Sequence, residues 1–435
     1  MLEFLHLKDV GPAPELNIKF SNRLNIITGD NGLGKSFLLD ACWFSLTRSW
    51  AGMQARPLKS QLKPEISFRF KTVSTTDGYA SKYDRYSESW TVRTGRPGNP
   101  GLVLYARADG GFSLWDPARN YWKKRGGIDL KDRPAAYHFN NQEIWKGIEK
   151  NETWICNGLI RDWASWQDKN DYRFALLRKA LQTLSPSPDE KLEIGKLTRI
   201  SLEDSQEVPT IRMPYGQEVP VVFASEGMRR IIALAYVLVW AWGEHLTASE
   251  LLSIDPTNQI TVLIDEVEAH LHPQWQRRII QSLLEVMGNM TKPESEETAS
   301  ERSFLSVQLI LATHSPLLLA SVEPYFDEKR DRLFHLDLND HAVTLNEIRW
   351  SKQGDATNWL VSEIFGLEQA RSLDAERAIE SAEAWMRDER DGLPEDLNSY
   401  AKIHKELLRV LAGHDAFWPR WIIKTEYDTS GETTA

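Results

Sequence analysis

Gly29-Asp30-Asn31-Gly32-Leu33-Gly34-Lys35-Ser36 fits the pattern G-x-x-x-x-G-K-[ST]. In that pattern the glycines leave room for backbone N–H groups to close around phosphate oxygens. The lysine reaches the β- and γ-phosphates, and the last hydroxyl binds Mg²⁺. The flanks agree. Leu24-Asn25-Ile26-Ile27-Thr28 is an apolar, β-rich run, and the segment 37–50 is long and apolar enough for a buried helix. Strand, glycine loop and helix N-terminus together form an anion site, because the helix dipole and its free N–H groups point at the phosphate. The stretch predicts an α/β fold with phosphate contacts at Asn31, Gly32, Gly34, Lys35 and Ser36.

Further along, Val262-Leu263-Ile264-Asp265-Glu266 reads as a buried strand that delivers the Asp265 carboxylate to a Mg²⁺ shell. Glu266, next to it, is placed to orient or deprotonate an attacking water. Thr313-His314-Ser315-Pro316 closes another apolar strand, where His314 can hydrogen-bond a γ-phosphate. Ala224-Ser225-Glu226-Gly227-Met228-Arg229-Arg230 opens an apolar helix. A hydroxyl residue and a glycine at a helix start make either a second anion site or an ordinary N-cap.

The 435 residues are 41% hydrophobic and 26% charged, an ordinary globular composition for one large or a few smaller domains. No apolar run reaches the ~18 residues of a membrane span. The longest, 231–242, reads as a buried helix. The start, Met1-Leu2-Glu3-Phe4-Leu5, lacks signal-peptide regions, and Cys42 and Cys156 form neither a disulfide framework nor a metal spacing. A cytoplasmic location with no membrane partner is the expectation. The net charge is −10, of which residues 351–435 carry −7 and the first 350 carry −3. The global basic footprint of a self-sufficient nucleic-acid binder is missing, although a local basic groove stays open.

Strands are predicted over 3–7, 16–20 and 24–28, with a turn at Gly11-Pro12-Ala13-Pro14. Alternating segments between 64 and 122, such as 66–70 and 102–105, predict antiparallel strands. Residues 140–185 read as helical, and 260–264, 307–313 and 333–336 as strands. The polar, acidic stretch 291–303 reads as a surface loop. After 349 the pattern turns helical, most clearly over 370–388. Phe417, Trp418 and Trp421 either cap the tail's own helices or anchor an oligomer or partner contact.

The order of P-loop, Ser225-Glu226-Gly227, Asp265-Glu266, Glu268-Ala269-His270-Leu271-His272-Pro273 and Thr313-His314-Ser315 resembles the ABC-type ATPases of the SMC, RecF and OLD group. The match covers the motif-bearing regions within 1–320. It implies an ABC-type P-loop ATPase head over 1–348: a P-loop and antiparallel β part (1–122), a helical lobe (123–225), and a part with the signature helix, Walker B and H-loop (226–348). An acidic helical extension (349–435) follows. The resemblance implies ATP and Mg²⁺ as cofactors, Ser36 and Asp265 on the metal, and Glu266 and His314 in catalysis. It further implies a head-to-tail homodimer or higher homo-oligomer in which Ser225 and Gly227 face the other subunit's γ-phosphate. Gln142, in Phe139-Asn140-Asn141-Gln142, takes the place of the Q-loop residue, and Arg229 or Arg230 that of a trans charge. The signature departs from the transporter form Leu-Ser-Gly-Gly-Gln. The family-like loop accounts for Glu268, His270 and His272 without a metal.

Lys35 to Ser225 spans 190 residues, longer than in transporter ATPases, and that span holds no coiled coil of the SMC type. Only about 120 residues follow His314, without the Asp-x-Asp of an OLD-type nuclease; Asp337-Leu338-Asn339-Asp340 reads as a charged turn. What remains resembles the stand-alone ATPase subunits of prokaryotic anti-phage systems of the Septu type, whose effector is a separate nuclease. The expectation is a Mg-dependent ATP-binding and hydrolysing regulatory or sensor subunit, not itself a nuclease, with a nuclease effector protein as partner. The alternative is a RecF-like, ATP-gated DNA-binding repair protein, and direct nucleic-acid binding stays open.

Overall fold

The computed structural model describes residues 1–57, 62–72, 75–92, 97–122, 124–125, 128–129, 135–290 and 305–423; the predicted loop 291–303 lies outside them. An eight-stranded sheet holds the strands Tyr137–Phe139, Phe112–Trp115, Leu102–Ala106, Gln259–Asp265, Ser306–Ala312, Leu24–Gly29, Asp331–Asn339 and Ala342–Ile348, in that spatial order. From Leu102–Ala106 to Asp331–Asn339 neighbouring strands run parallel. Parallel strands covered on both faces read as unbroken apolar runs, and every residue of Leu102–Ala106 and Gln259–Asp265 is buried. This corrects the expectation for 102–105. The segment is antiparallel only to Phe112–Trp115; on its other edge it runs parallel to Gln259–Asp265.

The helix after the P-loop, Lys35–Thr47, is sandwiched between this sheet and a second one, so it is apolar on both sides; Leu38, Leu39, Ala41, Cys42 and Trp43 are all buried. It stops where Arg48 turns left-handed at φ 61°. The second sheet is antiparallel, in the order Glu15–Lys19, Leu2–Lys8, Glu65–Lys71, Thr76–Asp84, Ser89–Trp90.

Residues 140–185 are less helical than their pattern predicts. Helices Asn141–Lys146, Leu159–Asp168 and Tyr172–Thr183 are interrupted by a hairpin, Ile148–Lys150 with Thr153–Cys156. Asn151 and Glu152 form its turn with φ 51° and 61°, the left-handed pair that a two-residue hairpin loop requires. Asp340 and His341 (φ 47° and 66°) do the same between the last two strands of the main sheet, so the acids at 337 and 340 flank and enter a turn.

Helix Glu226–Leu251 outruns the predicted apolar stretch at both ends. Among the described residues it alone is long and apolar enough to cross a membrane, but 78% of its apolar window is buried inside the protein, as in a core helix.

The chain forms two compact units, Met1–Asp355 and Ala356–Ala435. The second has its own core. Ala375, Ala378, Ile379 and Ala382 from helix Leu373–Met386 cluster with Ile403 and Leu407 of helix Tyr400–Val410 and with Phe417, Trp418 and Trp421. Of the two readings of these aromatics, the structure selects the first: they are interior residues of the tail.

Candidate functional site

Ligands of open α/β sheets gather at the carboxyl ends of the strands. Here three neighbouring parallel strands deliver the P-loop, Asp265 and His314 to one edge. Gly34 sits at φ 97°, and a Cβ there would lie 2.5 Å from Pro12 Cγ, so the glycine lets the Gly11-Pro12 turn close onto the loop. Lys35 Nζ donates to the carbonyls of Gly29 at 2.7 Å and Asp30 at 2.9 Å, which keeps the ammonium inside the cup of the loop. Burial draws that ammonium below the usual lysine range, against the opposing charges of Asp265, Glu266, Asp30 and Glu268.

Burial pushes the Asp265 carboxyl above the usual range, against a hydrogen bond from Ser36. Its Oδ1 is buried with no hydrogen-bond partner among the described residues. An orphaned carboxylate oxygen beside a serine hydroxyl is a hard-oxygen donor set of the kind Mg²⁺ takes. The residues present therefore fit Mg²⁺ with ATP: Ser36 and Asp265 would hold the ion, and Lys35 with the loop N–H groups the phosphates.

Glu266 is left-handed at φ 49°, and its N–H donates to the Ala312 carbonyl at 3.2 Å, which ties it to the end of the neighbouring strand. Arg230 braces the same corner from the helix Glu226–Leu251. Its Nη2 donates to the carbonyls of Asp265 at 3.1 Å and Glu266 at 2.9 Å, and burial lowers its pKa. Of the two arginines left open by sequence, Arg230 is thus committed within its own subunit. Arg229 pairs with Glu226 at 3.2 Å and lies 5.1 Å over the Trp145 ring. His314 holds a half-exposed ring with Nδ1 3.2 Å from the buried Glu268.

Lys35, Ser36, Asp265, Glu266 and His314 thus converge on one corner. Asn31 and Gly32 are exposed on the loop, and Ser36 is exposed in the first turn of the helix that follows. Other predicted residues lie elsewhere. Ser225 is exposed and N-caps its helix, Oγ accepting from the Met228 N–H at 3.4 Å. Gly227 is buried, and a Cβ there would lie 2.5 Å from the His270 carbonyl oxygen, so the missing side chain already serves a close contact inside the subunit. Gln142 is exposed on the first turn of Asn141–Lys146, next to the sheet edge far from the P-loop strand. Among the described residues no hydrogen bond joins Ser225 or Gln142 to the P-loop.

One acid of the site escaped the motif reading. Asp40 accepts a hydrogen bond from the Tyr105 hydroxyl, while burial and the nearby Asp265 charge push its carboxyl up to about 6. The signal for it is spacing: Asp40 follows Ser36 by one helical turn, on the same face.

The family model described as "AAA domain, putative AbiEii toxin, Type IV TA system" matches residues 24–320. The Septu protein PtuA of Bacillus thuringiensis is 20% identical over 395 residues, 90% of each chain. The retron Ec83 probable ATPase of Escherichia coli is 31% identical across 73% of this chain and 69% of its own length. The retron Vc95 probable ATPase of Vibrio cholerae serotype O1 biovar El Tor is 30% identical over 138 residues, but the match spans 30% of this chain and only 22% of that protein. Among solved structures, the SMC head domain from Thermotoga maritima aligns over 80% of this chain and 99% of its own, at 16% identity and a TM-score of 0.39.

Proposed function

The chain belongs to this AAA domain family, and from that premise we propose that it is a Mg-dependent ATP-binding and hydrolysing regulatory subunit of an anti-phage defence complex, which controls a separate nuclease effector. The observation that carries the catalytic part is the buried, unpartnered Asp265 Oδ1 next to Ser36, at the mouth of a loop whose lysine already faces inward. Mg²⁺ held there would neutralise the charge that develops on the transferred phosphoryl group. Lys35 binds phosphate, Glu266 orients the attacking water, and His314 faces the γ-phosphate. Similarity to the Septu protein and to two retron ATPases supports the defence setting.

Ser225 is exposed at the start of its helix and, among the described residues, makes no hydrogen bond to its own P-loop, which supports a role toward a second subunit. Two crippled protomers should then complement each other. A Lys35→Ala protomer mixed with a Ser225→Arg protomer assembles one site with a sound P-loop and a sound signature. The expected result is that the mixture regains a substantial part of the wild-type rate, while each variant alone stays inactive. Mixtures that stay inactive, although both variants fold and associate, would remove the trans arrangement.

The carboxylates that match a catalytic pattern, Asp265 and Glu266, are committed to nucleotide. The purified protein with ATP and Mg²⁺ or Mn²⁺ should therefore leave plasmid, linear DNA and RNA intact. Cleavage that disappears in a point variant outside Lys35, Asp265 and Glu266 would reveal a second active site. ATP-dependent DNA binding without an associated nuclease would favour the RecF-like alternative.

A further inference from the structure

We infer that Glu268 is a positioning residue that fixes His314 for phosphoryl transfer, an inference that rests on the ATP-hydrolysing reading above. Glu268 lies three residues past Asp265, in a tight turn where the Ala269 N–H donates to the Glu266 carbonyl at 3.0 Å and the Leu271 N–H to the Glu268 carbonyl at 2.9 Å. That turn points the carboxylate inward, and its side chain is only 5% exposed. A carboxylate this deep is costly unless donors surround it.

His314 supplies the donor: its backbone N–H donates to Glu268 Oε1 at 2.8 Å, and ring Nδ1 lies within ion-pair distance of the same oxygen, at 3.2 Å. The Glu268 charge opposes the burial that lowers the Lys35 ammonium and the Arg230 guanidinium, so it lies within electrostatic reach of both. Its second oxygen, Oε2, is buried and has no hydrogen-bond partner among the described residues. A second tie holds the same two segments together. The Ser315 hydroxyl donates to Gln276 Oε1 at 2.9 Å, and Gln276 Nε2 donates to the Leu271 carbonyl at 2.9 Å.

The chemistry follows from the donor inventory. An ionised carboxylate only accepts, so the ring nitrogen facing it carries the proton. The carboxylate thus favours the proton on Nδ1, and Nε2, turned away from it, is the acceptor of the neutral ring and a donor only in the imidazolium. The backbone bond sets where the ring is and the Nδ1 contact sets how it is rotated. Nε2 then meets the attacking water as an acceptor, or the γ-phosphate as a donor when the ring is protonated, at a fixed angle. A misplacement of about 1 Å at such a position costs roughly 100-fold in rate.

The experiment is a double-variant cycle on the full chain, read as kcat and KM for MgATP. Glu268→Ala should lower kcat by about 10- to 100-fold with KM changed by less than about threefold. Glu268→Ala combined with His314→Ala should be no slower than His314→Ala alone, because the carboxylate acts through the ring. Glu268→Gln keeps an oxygen for the backbone N–H; it should fold like the wild type and recover only part of the rate. A double variant slowed by the product of the two single effects would overturn the inference, as would a wild-type rate in Glu268→Ala. If Glu268→Ala fails to fold, Glu268→Gln decides: a full wild-type rate in it overturns the role of the charge. A wild-type protein that hydrolyses no ATP would remove the ATPase reading and the inference with it. Hydrolysis at the wild-type rate in Glu268→Ala removes the inference alone.

Discussion

Glu266→Gln is expected to keep ATP bound and to slow steady-state hydrolysis by about 100- to 1000-fold, the range set by losing a positioned general base or water-orienting carboxylate. The structure makes this a clean substitution. Glu266 is held through its backbone: its N–H reaches the Ala312 carbonyl and its carbonyl is braced by Arg230. Neither contact uses the side chain, so glutamine should leave the corner in place and remove only the charge. Lys35→Ala acts on the other half of the cycle and should weaken binding of the nucleotide itself. The two variants separate in an equilibrium ATP-binding assay combined with phosphate release. An unchanged turnover in purified Glu266→Gln would take the water-positioning role away from this residue.

The parts of this site that were legible in the sequence are those in which a short spacing carries the chemistry. Gly34-Lys35-Ser36 and Asp265-Glu266 are such cases, because phosphate cradle and metal carboxylate need neighbouring residues in fixed order. The strands beside them were legible too, since a buried parallel strand reads as an apolar run. Partnership across the chain was not. The pattern of 102–105 is equally good for a buried antiparallel strand, and only its pairing with Gln259–Asp265 tells them apart. Arg230 looked like a candidate trans charge because nothing local reveals that its guanidinium ends on carbonyls 35 and 36 residues away. Gly227 shows the same limit from the other side: a signature glycine and a glycine needed for close packing look identical until the His270 carbonyl is seen against it. The hairpin inside 140–185 was hidden because its decisive feature, two successive left-handed residues at Asn151 and Glu152, is a backbone conformation and not a composition.

The second large effect is expected in the tail, for stability and not for catalysis. Trp421 is fully buried in the core of the unit Ala356–Ala435; its ring stacks on Tyr400 at 5.1 Å, and its Nε1 donates to His404 Nδ1 at 3.0 Å. Trp418 turns its Nε1 to the Ala412 carbonyl at 2.8 Å, and the Arg371–Asp415 pair at 2.8 Å closes the same end. Replacing a buried tryptophan with alanine costs about 3–5 kcal/mol. A unit of this size commonly has only a few kcal/mol to lose, so Trp421→Ala should leave the tail largely unfolded. Ile422 and Ile423 are exposed at 44% and 57%, and Ile423→Ser is the control that should change little. Limited proteolysis should then cleave the Trp421→Ala tail rapidly after about residue 356, with the ATPase rate per protomer retained, since the P-loop, Asp265 and His314 lie in Met1–Asp355. Truncation at residue 412 should behave like Trp421→Ala, because it removes Phe417, Trp418 and Trp421 from the core together. Any loss of assembly or of a bound partner in that truncation therefore reports an unfolded tail before it reports a lost contact surface. Protease resistance equal to wild type in Trp421→Ala would mean that these aromatics do not hold the tail together, and would return them to the role of partner anchors.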